Sequence, residues 1–108
     1  MEFLNKKDIM ELANNPDNIY SACDIVNFHD QRVCYIHLNP INGLEYTIAG
    51  FKFGYDIMVN RDKEPFRNKE VLYKYRFDIF KLLWLKKIAK NYDRLEQLKR
   101  LKKISEVR

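Results

Sequence analysis

Four basic residues in the C-terminal half are spaced closely enough to act as one group, called here the basic cluster: Lys86, Lys87, Lys90 and Arg94. On a helix, residues three or four apart are neighbours, so Lys90 lies next to both Lys86 and Arg94, and each pair repels. At that spacing the cluster meets one carboxylate, Asp93 beside Lys90. A helix that needs charge only for solubility pairs its cations more evenly. This excess of positive charge therefore predicts a phosphate-binding surface.

Two further cations flank the basic cluster. We expect Arg76 to share its outward face, and Lys99 to continue the positive charge beyond it. Residues 1–65 carry 6 Lys/Arg against 10 Asp/Glu, whereas residues 66–108 carry 14 against 5. The alternative interpretation is therefore a basic face that is only solvated, or that is neutralised by the acidic N-terminal part of the chain.

No recognised metal-binding or catalytic pattern accompanies these charges. Four residues are of types that bind zinc: Cys23, His29, Cys34 and His37. Their spacing matches no zinc site, and alternation along a strand sends His37 to the face opposite Cys34. Four carboxylates could serve a nuclease: Asp56, Asp62, Glu64 and Glu70. They lack a metal-binding lysine motif on the following strand, and no glycine-rich phosphate loop is present. We therefore expect no enzymatic activity, no metal and no cofactor.

The two cysteines predict a geometry and a compartment. A hairpin that turns at His29 and Asp30 would make Cys23 and Cys34 diagonal neighbours on one face of a sheet, roughly 7 to 8 Å apart. That distance is too long for an unstrained disulfide bond. We expect two small buried apolar residues in an intracellular protein, because small secreted domains usually have more cysteines.

The N-terminal half has the signals of a short helix followed by strands. Asn5 is a good N-cap for a helix at about residues 6–14, with Asp8 near the positive end of its dipole. Two turn signals then separate stretches rich in β-branched and aromatic residues. They predict strands near 18–27, 32–38 and 44–53. Residues 55–59 either extend the third strand or form a fourth, so the predicted fold is an α+β antiparallel meander in the order α-β-β-β-α.

A long basic helix at about residues 66–104 is predicted to pack on this sheet. One stripe of apolar side chains, spaced by threes and fours, should cover the sheet: Tyr73, Phe77, Phe80, Trp84, Ile88, Tyr92, Leu95 and Leu98. A second apolar side must be buried against the first helix or a partner: Leu72, Ile79, Leu82 and Leu83. Trp84, in the middle of the stripe, is expected in the core. Residues 93–108 could project as a helical extension.

The segment Lys86-Lys87-Ile88-Ala89-Lys90 resembles the KKxAK motif of double-stranded-RNA-binding domains, which begins their second helix and grips phosphates across a groove. The predicted order of helix, three strands and helix resembles the same family. The resemblance implies phosphate contacts by the three lysines. The chain departs from the family pattern in two respects: some 30 residues separate Phe53, at the end of the third predicted strand, from Lys86, and the glycine-rich approach is absent.

Length and composition predict one intracellular domain, in the cytoplasm. The chain has 108 residues, of which 46% are hydrophobic, and this is enough for a single core. The longest uncharged run, residues 33–44, has 12 residues, short of the roughly 18 that suggest a membrane span.

Residues with AT-rich codons (Asn, Lys, Ile, Tyr and Phe) number 47, against 17 for Gly, Ala, Arg and Pro. This bias indicates an AT-rich genome, such as that of a low-GC bacterium or its phage.

Three functional hypotheses follow. The first is a non-enzymatic protein that binds nucleic acid or a nucleoprotein through the basic cluster. The second is an inhibitor or regulator, encoded by a phage or mobile element, that binds a host nucleic-acid-handling enzyme. The third is an oligomeric structural component, such as a homodimer, held together through the second apolar side. Salt dependence separates the first from the others, because phosphate binding releases counterions and apolar association does not.

Overall fold

The structure, a computed structural model, describes residues 3–24, 32–61 and 69–106. These residues form two helices, a single 3-10 turn and five strands: α1 (Lys6–Ala13), the 3-10 turn (Pro16–Asn18), β1 (Ile19–Cys23), β2 (Arg32–Leu38), β3 (Leu44–Phe51), β4 (Tyr55–Arg61), β5 (Glu70–Tyr75) and α2 (Ile79–Glu106). The strands pair in chain order as one antiparallel meander. The α+β class is thus confirmed, with five strands in place of the three or four expected. No helix within the described residues is long and apolar enough to cross a membrane.

The predicted cap of the first helix is present. The side chain of Asn5 accepts a hydrogen bond from the backbone N–H of Asp8 at 2.8 Å, which satisfies one of the free donors at the helix start. The buried side of α1 consists of Ile9, Met10 and Ala13. Because this helix has only eight residues, its stability depends on burying that side against the sheet.

Both helices cover the same face of the sheet. Strand alternation directs one set of side chains to this face: Cys34, Ile36, Leu38, Leu44, Tyr46, Ile48, Tyr55, Ile57 and Val59. The long helix contributes Leu82, Leu85 and Ala89 to the same cluster, and Leu85 and Ala89 are fully buried. Their spacing of three and four residues sets the helix face that rests on the sheet.

The segment before α2 is a strand, so the predicted helix start at residue 66 is wrong. β5 pairs with β4, with Tyr75 opposite Tyr55 and Tyr73 opposite Ile57. The helix begins only after Asp78, whose side chain accepts a hydrogen bond from the N–H of Lys81 at 3.0 Å. The six residues of β5, Glu-Val-Leu-Tyr-Lys-Tyr, do not alternate strictly between polar and apolar, and they are too few to separate the period of a strand from that of a helix.

The predicted apolar stripe is correct only in part. Trp84, Ile88 and Tyr92 are half-buried beside the core, but Phe77 and Phe80 are exposed. Of the second apolar side, Leu82 is buried against the sheet, whereas Ile79 and Leu83 are exposed. The other sheet-facing residues of α2, Leu85 and Ala89, belonged to neither predicted set. Leu72 and Tyr73 belong to β5, so they do not influence which side of the helix faces the sheet. That side is determined by the apolar residues from Ile79 onward.

The cysteines do not share a face. Cys23 lies opposite Tyr35 in the ladder, whereas Cys34 lies opposite Gly50, so alternation sends the two thiols to opposite sides. Cys23 is exposed and Cys34 is buried, and both are free. The expectation of two buried neighbours was therefore wrong, because the predicted hairpin register was one residue out of phase. The turn itself, at His29 and Asp30, lies outside the described residues.

Candidate functional site

Three members of the basic cluster form one exposed row on the outer side of α2, called here the outward row: Lys87, Lys90 and Arg94. At about 100° per residue they lie roughly 140° to 200° around the helix from the fully buried Leu85, which is the side opposite the sheet. With a rise of about 1.5 Å per residue, the row is about 10 Å long. Among the described residues, no carboxylate lies at ion-pairing distance from it.

Lys86 belongs to the flank of the helix and is separate from the outward row. Its side chain is half-buried. The pKa of the Cys34 thiol is raised to about 11, chiefly by burial. The charge of Asp24 also raises this pKa. A hydrogen bond with the Gly50 backbone and the charge of Lys86 lower it. One carboxylate oxygen of Asp24 is buried without a hydrogen-bond partner. Lys86 therefore provides positive charge to this buried edge, next to Asp24 and Cys34.

The two expected flanking cations differ from each other in their surroundings. Arg76 is exposed in the connection between β5 and α2, so the expectation that it shares a helix face with the cluster was wrong. Lys99 is in the helix, with its Nζ 3.5 Å from Oε1 of Glu96. Such an exposed pair contributes little to stability, but it does reduce the net charge that Lys99 offers to a partner.

Exposed apolar side chains adjoin the outward row at both ends, and the sequence pattern assigned most of them to a buried surface. At the N-terminal end of α2 they are Phe77, Phe80 and Leu83, and toward its C-terminal end they are Leu98 and Leu101. The ring of Phe53, in the β3–β4 turn, lies 6.0 Å from that of Phe77. Only the short connection from β5 and the cap at Asp78 could have indicated that Phe77 and Phe80 lie outside the core.

A polar network occupies the other face of the sheet. The hydroxyl of Thr47 lies 3.0 Å from both Nζ of Lys69 and Nδ1 of His37. Lys69 donates to the hydroxyl oxygen, so the hydroxyl hydrogen can be donated to His37 Nδ1. Burial and the nearby charge of Lys69 lower the pKa of His37, which favours its neutral form. A cavity of about 420 Å³ borders this network, but Thr47 is only 2% exposed and is not available as a nucleophile.

The described residues contain no group of three or more His, Cys, Asp and Glu side chains that could hold a metal ion. The alternation expected for His37 and Cys34 is confirmed, because they lie on opposite faces of β2. Of the four nuclease-type carboxylates, Asp62 and Glu64 fall outside the described residues. Asp56 and Glu70 lie on the neighbouring strands β4 and β5, where Asp56 is opposite Lys74 and Glu70 is opposite Val59.

Comparisons of the chain with protein-family models, with curated proteins and with solved structures gave no significant match. The double-stranded-RNA-binding resemblance also weakens, because the sheet has five strands and the lysine motif lies in the middle of α2 and not at its start.

Proposed function

We propose that this protein binds nucleic acid, or a nucleoprotein, without catalysing a reaction on it, and that the outward row of α2 contacts the phosphate backbone. The observation that carries the proposal is the exposure of Lys87, Lys90 and Arg94 on one helix face, directed away from the sheet and without described carboxylates at ion-pairing distance. Mutual repulsion makes such a row unfavourable in isolation, and an anionic partner removes that cost.

The dimensions of the row suit a nucleic-acid strand. A row about 10 Å long presents three cations in line, so it can contact up to three phosphates of one strand. Arg76, exposed in the connection before α2, adds positive charge near the N-terminal end of the helix. Lys99, paired with Glu96, contributes a weaker charge at the other end. Lys86 attracts phosphates electrostatically from the flank of the helix without direct contact, because its side chain is half-buried.

Salt-dependent binding tests the proposal directly. In the variant Lys87→Glu/Lys90→Glu/Arg94→Glu, affinity for nucleic acid should fall, and the magnitude of the salt slope should drop by roughly 0.7 to 0.9 for each lost phosphate contact. Lys7→Glu/Arg61→Glu/Lys74→Glu is a matched control, because both variants change the formal net charge from +5 to −1. All six side chains are exposed, so both variants should fold. If affinity for nucleic acid falls equally in the two variants, the loss results from the change in net charge alone, and a site on α2 is contradicted.

A protein partner is the competing proposal, and the exposed leucines favour it. Leu83, Leu98 and Leu101 lie on the same outward side of α2 as the row and could be covered by a partner protein. The partner would be an acidic surface of a host nucleic-acid-handling enzyme, with this chain as a phage-encoded or mobile-element-encoded inhibitor. Affinity capture from the host with and without nuclease separates the two proposals. Loss of all partners after nuclease supports nucleic-acid binding, and a stoichiometric protein that persists supports inhibition.

Both proposals place the protein in the cytoplasm, in the host cell if a phage encodes it. The described cysteines, Cys23 and Cys34, are free, which is consistent with a reducing compartment. Cell fractionation followed by immunodetection tests this placement.

A further inference from the structure

Three phenylalanine rings are exposed around the N-terminal end of α2: Phe53 at 46%, Phe77 at 74% and Phe80 at 88%. A buried phenylalanine side chain gains favourable transfer free energy, and these three gain little of it from the described part of the chain. Exposed apolar side chains that are close together usually mark a binding surface. We call these three rings the aromatic end.

Backbone contacts hold two of these rings in a fixed arrangement. The N–H of Asp78 donates a hydrogen bond to the carbonyl oxygen of Phe53 at 2.8 Å, which ties the β3–β4 turn to the start of α2. The turn itself is closed by hydrogen bonds between Phe51 and Gly54 in both directions. The rings of Phe53 and Phe77 are 6.0 Å apart, with planes inclined by 33°. Binding to rings that are already positioned costs less conformational entropy.

Positive charge surrounds the aromatic end. Nζ of Lys52 lies 5.2 Å from the centre of the Phe53 ring. Arg76 is exposed next to Phe77, and Lys87 follows Phe80 by seven residues, about 10 Å along the helix. The carboxylate of Asp78 is already engaged as the cap of α2. Aromatic rings beside a line of cations are the features with which proteins bind single strands, because bases stack on the rings while phosphates contact the cations.

We infer that the nucleic acid bound at this site is single-stranded, with unpaired bases stacked on the aromatic end and the adjoining phosphates on the outward row. This inference rests on the proposed function and narrows its substrate class. A duplex hides the faces of its bases within its own stack and would leave the three rings without partners. A single strand offers every base face, and stacking on aromatic side chains tolerates any sequence.

The position of the outward row argues against two other occupants. A helix lying in a membrane surface buries an apolar side and keeps its cations on the opposite side. Here Lys87, Lys90 and Arg94 lie on the same side as Phe80 and Leu83, so the cations would enter the bilayer with the apolar residues. A two-fold dimer through this side of α2 would bring like charges of the row together.

The test compares binding to a labelled single strand of about 20 nucleotides with binding to the corresponding duplex. A strand of about 20 nucleotides is long enough, because one small single-strand-binding fold occupies roughly 4–16 nucleotides. We expect the wild-type protein to prefer the single strand. Phe77→Leu/Phe80→Leu should weaken single-strand binding about 5- to 100-fold without changing the salt slope, because leucine remains apolar but offers no flat ring. Phe77→Trp/Phe80→Trp should retain the affinity.

Leu98→Ala/Leu101→Ala is the control, because these side chains are exposed at the other end of the helix and cannot stack. Unchanged single-strand affinity in Phe77→Leu/Phe80→Leu overturns the inference. If the outward-row variant still loses affinity and salt slope in the same assay, the proposed function stands and the nucleic acid is held through its phosphates without stacking on the rings. Phe77→Leu/Phe80→Leu is also tested for binding to anionic phospholipid vesicles. If this variant loses vesicle binding but binds the single strand as the wild type does, the inference is overturned in favour of a membrane surface.

Discussion

Gly50 lies so close to Leu82 that a Cβ atom on this glycine would come within 2.8 Å of Leu82 Cδ1. The same atom would be 2.5 Å from Sγ of Cys34. The missing side chain on β3 thus lets α2 pack directly on the sheet, and α2 holds both the outward row and the cap beside the aromatic end. The position of the candidate site therefore depends on this contact in the core.

Gly50→Ala should destabilise the fold by overpacking, by about 1 to 3 kcal/mol. The added methyl group must displace two side chains, Leu82 and Cys34, of which the second is fully buried. Urea denaturation monitored by circular dichroism measures the change. Cys34→Ala in the same chain removes one clash, so the double variant should be more stable than the sum of the single effects predicts. Strict additivity would show that the thiol does not limit the space at Gly50.

The two thiols should differ strongly in reactivity. Cys23 is exposed, whereas Cys34 is buried and its pKa is raised to about 11, chiefly by burial, so at neutral pH it is protonated and inaccessible. A thiol reagent should therefore label one cysteine per chain in the native state and two in denaturant. Cys23→Ser should abolish the native labelling. Rapid native labelling of this variant would show that Cys34 is accessible, contrary to the described packing.

The fold was predictable where local signals agree with tertiary packing, and not elsewhere. Asn5 capped the first helix as expected, and the alternation of β2 placed His37 and Cys34 on opposite faces. The strand Glu70–Tyr75 was missed because six residues are few, and their apolar spacing also fits a helix. Its identity depends on pairing with β4, a contact that the local pattern cannot reveal.

The candidate site divides in the same way. Exposed cations such as Lys87 and Arg94 are predictable from sequence, since burying an unpaired charge is costly and the pattern shows no partners. Phe77 and Phe80 are not, because phenylalanine is usually assigned to the core by its apolarity alone. Phe77 is exposed in the connection after β5, and the phase of α2, set by Leu85 against the sheet, directs Phe80 away from it.

Stability should depend on pH through His37. Burial and the charge of Lys69 lower its pKa in the folded state below the ordinary value of 6.5. The unfolded chain therefore binds the proton more readily, and the free energy of unfolding should be at its full value above about pH 6.5 and fall as the pH decreases toward the folded-state pKa. His37→Gln should remove this part of the pH dependence. Urea midpoints measured across this pH range test the prediction, and identical profiles for both proteins would contradict it.

Truncation after Gln97 should leave the folded domain nearly intact. From Leu98 to Lys103 every side chain is exposed, and the partly buried residues that pack on the core end at Tyr92. Among the described side chains, this truncation removes none that is buried, and the free energy of unfolding should change by less than about 1 kcal/mol, mostly through fraying of the new helix end. Thermal and urea denaturation of the truncated chain measure this change. A larger loss that depends on protein concentration would show that Leu98 and Leu101 pack against a second copy, and would favour the oligomeric hypothesis over a projecting helix.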